Sequence, residues 1–151
     1  MPETPAAQHI PPSIERILGR FRQLSREEKM SALVQYSRKL EPLPDRFKAL
    51  DREAFTVPEC QTRVDIFPEL RDGKMHYYAD VNAKQSPTVA AVLAIVFQAV
   101  NDHPPSVTLD IPQDFVRQLM ESIGLGAREA GLTAMIARLK RYASSPEAFA
   151  V

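Results

Sequence analysis

Asp72-Gly73 stands within a stretch of period-two character from about Ala54 to Asn82, and this arrangement constrains the chain more than any other feature. A two-residue Asp-Gly connection demands a tight hairpin, because its turn type needs positive φ at both central positions. Folding there places Arg71 opposite Lys74, Leu70 opposite Met75, Ile66 opposite Ala79 and Asp65 opposite Asp80. One face of the ribbon is then apolar on both strands, so register and pattern agree. The other face sets Phe67 against Tyr78 but also Asp65 against Asp80, an unfavourable like-charge pair. Pro68 has no N–H to give a ladder, which predicts an edge or a bulge at that point.

Helical periods flank the hairpin on both sides. Ile14, Ile17, Leu18, Phe21 and Leu24 recur at helical spacing after Pro12. Ser25 and Glu28 form a capping-box pattern for a second helix, with Met30, Leu33, Val34 and Leu40 as its expected apolar face and Pro42 to Pro44 as its stop. Ser86-Pro87 opens a helix apolar nearly all round, from Val89 to Val100, the pattern of a domain's buried centre. Asp110 and Gln113 suggest another capping box leading to Phe115, Leu119 and Ile123, closed by Gly124. Leu132, Met135, Ile136 and Leu139 mark a last helix. The reading is an α+β domain with a small antiparallel sheet of about three strands packed on helices. It divides into a loose tail over residues 1–11 and one domain over 12–145.

Composition narrows the function. The 151 residues carry 19 basic and 19 acidic side chains, so no net charge favours nucleic acid or an acidic membrane surface. The opening MPETPAAQHIPPS has neither a basic n-region nor an apolar stretch. No apolar run approaches the roughly 20 residues of a membrane span. A cytoplasmic location is expected.

The chain has one cysteine, Cys60, in the stretch VPECQTRV. Lone cysteines are commonly small buried hydrophobes, but Pro58, Glu59, Gln61 and Thr62 give this one a loop setting. A hydrolytic Cys–His pair is disfavoured. His9 lies in the tail, and His103 follows the buried helix. His76 falls opposite Glu69, roughly 25–30 Å along an extended strand from the thiol. One cysteine and three scattered histidines do not supply a closed metal or iron–sulfur site. Asp80, Glu59 and Asp65 read as a solvated strand face. Arg128 opens the last helix, where a cation mildly opposes the helix dipole. A thiol without a local base or resolving cysteine suits chemistry in which a partner protein supplies both, such as persulfide transfer.

Four segments together resemble the SufE family, the sulfur-acceptor partners of cysteine desulfurases. They are Leu40-Glu41-Pro42-Leu43-Pro44, Val57-x-x-Cys60-Gln61-Thr62-x-Val64, Ala79-Asp80, and Arg128-x-x-Gly131-Leu132-x-Ala134-Met135. The resemblance implies a fold shared with iron–sulfur scaffold proteins and makes Cys60 the persulfide acceptor. Glu59, Gln61, Thr62 and Arg128 would be loop and partner-binding residues, with Asp80 a further candidate. It implies no cofactor or metal on this chain, pyridoxal phosphate belonging to a Suf-type desulfurase partner. A Suf-type cluster scaffold would receive the sulfur, and the protein would be a sulfur-transfer partner rather than a stand-alone enzyme. A homodimer stays open. So does the alternative of an adaptor that docks on a desulfurase without moving sulfur. Four departures accompany the resemblance, one being that Ala127 and Ala130 replace the polar residues commonly flanking the arginine. Glu59 stands where the family usually has glycine, Asp65 where tryptophan is common, and the link around Lys84 to Pro87 is longer.

Overall fold

The computed structural model describes residues 9–151; most of the expected tail lies outside the described residues. Ile10 and Pro11, placed in that tail on sequence, pack on the core: Ile10 lies against it and Pro11 is buried. The helices are α1 (Pro12–Arg22), α2 (Arg26–Ser37), α3 (Asp45–Lys48), α4 (Pro87–Val100), α5 (Pro105–Leu109), α6 (Phe115–Leu119) and α7 (Arg128–Ser144). The strands are β1 (Asp65–Arg71) and β2 (Lys74–Asp80), antiparallel in the predicted register from Asp65↔Asp80 to Arg71↔Lys74. Asp72 and Gly73 both take positive φ, 53° and 76°, as the two-residue turn requires.

The sheet has two strands rather than about three. Isolated bridges take the place of a third: Thr56 to Asp65 and Ala150 to Leu70 on β1, and His103 to Met75 on β2. The outward carbonyls along β1 and the residue before it explain why no continuous strand forms. Val64, Ile66 and Leu70 accept from the Val57 N–H, the Tyr142 hydroxyl and the Val151 N–H respectively. Pro68 has the same parity, so its missing N–H faces this piecemeal edge and costs no ladder bond.

α4 is the core of the molecule. Every residue from Val89 to Val100 except Gln98 is buried. α1, α2 and β2 pack on it. The Ser25–Glu28 capping box of α2 forms in both directions. The predicted apolar face of α2 needs correction: Leu33 is buried as expected, but Met30 and Val34 are exposed, and Lys29, Tyr36 and Ser37 are buried in their place. Lys29 reaches inward because its ammonium donates to the Glu121 carbonyl at 2.6 Å. The helix predicted from Asp110 also changes. Asp110 ends the five-residue α5 instead of starting a helix, the five-residue α6 begins only at Phe115, and the positive φ values fall at Ser122 and Gly126 rather than Gly124. No side-chain cap starts α6, and residues 110–114 form turns around Pro112.

β1 is buried on both faces, which overturns the solvated face expected for Asp65. Two short turns fold over that second face. α3 brings Phe47 to 5.2 Å from the Phe67 ring centre, and the 3-10 turn Arg52–Phe55 brings Phe55 to 4.8 Å. Each also delivers an arginine to a buried acid. Arg46 grips Glu69 through Nε and Nη2 at 2.9–3.1 Å, and Arg52 meets Asp65 at 3.1 Å. A buried carboxylate survives only when paired in this way.

Candidate functional site

The loop from Pro58 to Arg63 leaves and rejoins the fold at two buried valines. Val57 N–H donates to the Val64 carbonyl at 2.9 Å and closes its base. Within the loop, Cys60 N–H donates to the Val57 carbonyl at 3.4 Å, which turns the cysteine back toward the protein. Thr62 and Ser86 share a hydroxyl–hydroxyl bond of 2.7 Å, tying the far side of the loop to the start of α4.

Cys60 is partly buried against the core and lines a cleft of about 180 Å³. The walls are Glu59, Cys60, Gln61 and Thr62 from the loop, Gln85 to Val89 from the entry to α4, and Ala127, Arg128 and Gly131 from α7. Thus the structure brings together the predicted Cys60, Glu59, Gln61, Thr62 and Arg128. The lengthened link contributes a wall. Asn82 Oδ1 accepts from the N–H groups of Lys84 and Gln85 at 3.1 Å, and the resulting turn presents Gln85 and Ser86 to the cleft.

Asp80 is not in this cleft. It lies on the opposite side of Pro87, where it joins Asp65 on the Arg52 guanidinium. That cation resolves the like-charge pair of the hairpin. Asp65, 1% exposed, also accepts from Thr56 Oγ1 at 2.5 Å and from Arg63 Nε at 3.3 Å. Burial works against its charged form, but the bonds from Thr56, Arg52 and Arg63 outweigh it, and its carboxyl titrates below the usual value.

Gly131 is where α7 comes close to the cysteine loop. A Cβ there would stand 3.3 Å from the Cys60 Cα and 3.5 Å from its Sγ. Glycine in the first half of a 17-residue helix is what lets the cysteine loop lie on α7. Arg128, at the rim, is exposed and reaches Thr88 Oγ1 at 3.5 Å.

The first turns of α4 and α7 both line the cleft, and neither has a side-chain cap. The positive ends of two helices therefore lie beside Cys60, although the Arg128 and Glu129 N–H groups of α7 are already taken by the Leu125 and Gly126 carbonyls. No histidine lines the cleft. His76 is engaged elsewhere, with Glu41 at 2.7 Å and Asp102 at 2.9 Å. Among the described residues no group of three His, Cys, Asp or Glu side chains is placed to hold a metal, and no helix is long and apolar enough to cross a membrane. A solitary thiol in a small cleft beside two helix N-termini can exchange sulfur with a persulfide that another molecule brings to it.

Comparison with known proteins bears on the family and the fold. The model of the SufE, or Fe–S metabolism associated, domain matches residues 15–143. An uncharacterised SufE-like protein of Mycobacterium tuberculosis strain H37Rv is 26% identical over 90% of this chain and 94% of its own. A SufE-like protein of Synechocystis is 30% identical over 71% of this chain and 64% of its own. A hypothetical protein from Thermus thermophilus, solved in solution, superposes with a TM-score of 0.78 at 26% identity, covering 92% of this chain and 98% of that one.

Proposed function

The chain belongs to the SufE family, and from that premise we propose that it is a persulfide carrier whose acceptor is Cys60. The observation that carries this reading is the placement of the only thiol, on a loop pinned at its base, in a cleft walled by Gly131 and rimmed by Arg128.

The chemistry is a thiol–persulfide exchange. The Cys60 thiolate attacks the outer sulfur of a persulfide carried by a cysteine desulfurase. The new S–S bond forms as the old one breaks, and the desulfurase cysteine leaves as a thiolate that takes up a proton. No net oxidation occurs. Delivery is the same exchange again, with a thiolate of an iron–sulfur cluster scaffold as the attacker. Pyridoxal phosphate acts in the desulfurase, before this chain takes part.

Each wall of the cleft has a task in this scheme. The helix ends and Arg128 favour anionic sulfur during exchange. Half-burial against Gly131 shelters the loaded sulfur from small reductants. Glu59, Gln61 and Arg128, all exposed at the rim, form the surface a desulfurase would meet first. Replacing Cys60 by Ser should abolish stimulation of a cysteine desulfurase while far-UV circular dichroism stays unchanged. Equal stimulation by the Ser variant would remove the thiol from the mechanism and favour an adaptor that docks without carrying sulfur.

A further inference from the structure

The buried acid Asp65 has no place in the exchange just described, yet it stands at the root of the cysteine loop with three partners. Thr56 and Arg52 come from the chain entering the loop, and Arg63 from the chain leaving it. Arg52 extends the set to Asp80 at the end of β2. The Thr56–Asp65 bridge and the Val57–Val64 hydrogen bond form consecutive rungs below the loop. The closer side-chain ties at this root run through one carboxylate that is 1% exposed; Arg63 also crosses directly to the entering stem, reaching exposed Glu53 and Thr56 Oγ1, each at 3.5 Å.

We propose that Asp65, held by Thr56 and Arg52, is the positioning residue of the Cys60 loop: it clasps the two stems and keeps the thiol seated against Gly131. This rests on the reading of Cys60 as the sulfur acceptor only for its purpose, since the clasp itself concerns where the thiol lies. Loss of one stem tie lets residues 58–63 swing away from α7. Beyond the root, the loop is held by the Thr62–Ser86 bond and the contact at Gly131. Seating is then a matter of local opening, which proceeds at lower free energy than global unfolding.

Glu69 supplies the control. It is a second buried acid on β1, side chain 6% exposed and paired to Arg46, and it belongs to the far end of the strand. The experiment compares wild type, Thr56→Val, Asp65→Asn and Glu69→Gln. It reads the second-order rate of Cys60 alkylation by iodoacetamide, amide hydrogen exchange across 57–64, and Tm. Thr56→Val keeps the shape and removes one donor, so it reports even where Asp65→Asn folds poorly. The clasp predicts alkylation and loop exchange about five- to tenfold faster in Thr56→Val and Asp65→Asn, which corresponds to an opening equilibrium eased by about 1–1.4 kcal/mol. Glu69→Gln should lower Tm and leave both loop readouts near wild type. Unchanged alkylation in a folded Thr56→Val, or an equal rise in Glu69→Gln, would reduce Asp65 to an ordinary buried ion pair. Sulfur loading by a desulfurase is measured in parallel. Faster alkylation with no sulfur ever on the wild type would keep the clasp and overturn the carrier.

Discussion

Gly131 is unfavourable to its own helix, since glycine within a helix costs about 0.5–1 kcal/mol relative to alanine. The cost is matched by room for Cys60, whose Cα lies 3.3 Å from where a Cβ would be. Gly131→Ala should therefore leave Tm near wild type, as the helix gains what the contact loses, while the wedge lifts the loop and speeds Cys60 alkylation several-fold. An unaltered alkylation rate would show that the thiol does not depend on this seat. Arg128 acts outward. Arg128→Glu should raise the desulfurase concentration needed for half-maximal stimulation about tenfold at low salt, with the gap to wild type narrowing as salt rises and no change in Tm. At this scale the thiol and the rim arginine were legible because their types are rare or misplaced in the sequence. Gly131 was not, because its reason lies in a loop about 70 positions upstream in the chain. Arg52 left only an indirect sign: the like-charged Asp65 and Asp80 in a well-defined register call for a cation, and nothing local says which one.

The hairpin was legible as an element because period-two patterning and the Asp-Gly turn specify the same register. Its surroundings were not. The isolated bridges from Thr56, His103 and Ala150 come from segments without strand patterning. α5 and α6 are too short for a helical period to show. Two turns with little apolar content cover β1, each through one phenylalanine and one arginine, so a face that reads as polar is buried. His76 ties this hairpin to the connection after α2 and to the end of α4, through Glu41 and Asp102. Burial disfavours its charge, but the two carboxylates outweigh that, and its pKa is raised. Both ring nitrogens face carboxylates, so only the imidazolium donates to both. Its stabilisation is accordingly complete below the unfolded value near 6.5 and is lost as pH rises through the folded value. His76→Gln should cost on the order of 1 kcal/mol at about pH 5.5 to 6 and little at about pH 9. An equal cost at both, read from urea unfolding, would contradict the charged tie.

The whole molecule is organised by α4, whose burial on all sides makes it the helix that the rest must cover. This much followed from the run Val89 to Val100. Leu93, fully buried at its centre, should cost about 2–5 kcal/mol as Leu93→Ala, measured by the same unfolding. Acid acts through Asp65. Its carboxyl is depressed in the fold, so its contribution is present above the ordinary carboxylate value and disappears as pH falls through the folded one. The stability advantage of wild type over Asp65→Asn should shrink progressively as pH falls from about 4, and an advantage that does not shrink at all down to acid unfolding would show that the carboxyl is not held charged in the fold. The same α4 that holds the core also presents its first turn to Cys60, so the site is carried on the most buried helix of the protein. The central claim is that this site carries sulfur. Intact-mass analysis after incubation with a cysteine desulfurase and cysteine, beside the Cys60→Ser variant, tests it most directly. The account predicts a gain of one or more sulfur atoms on wild type alone, removed by reductant. Sulfur on both proteins, or on neither with any desulfurase tried, would contradict it.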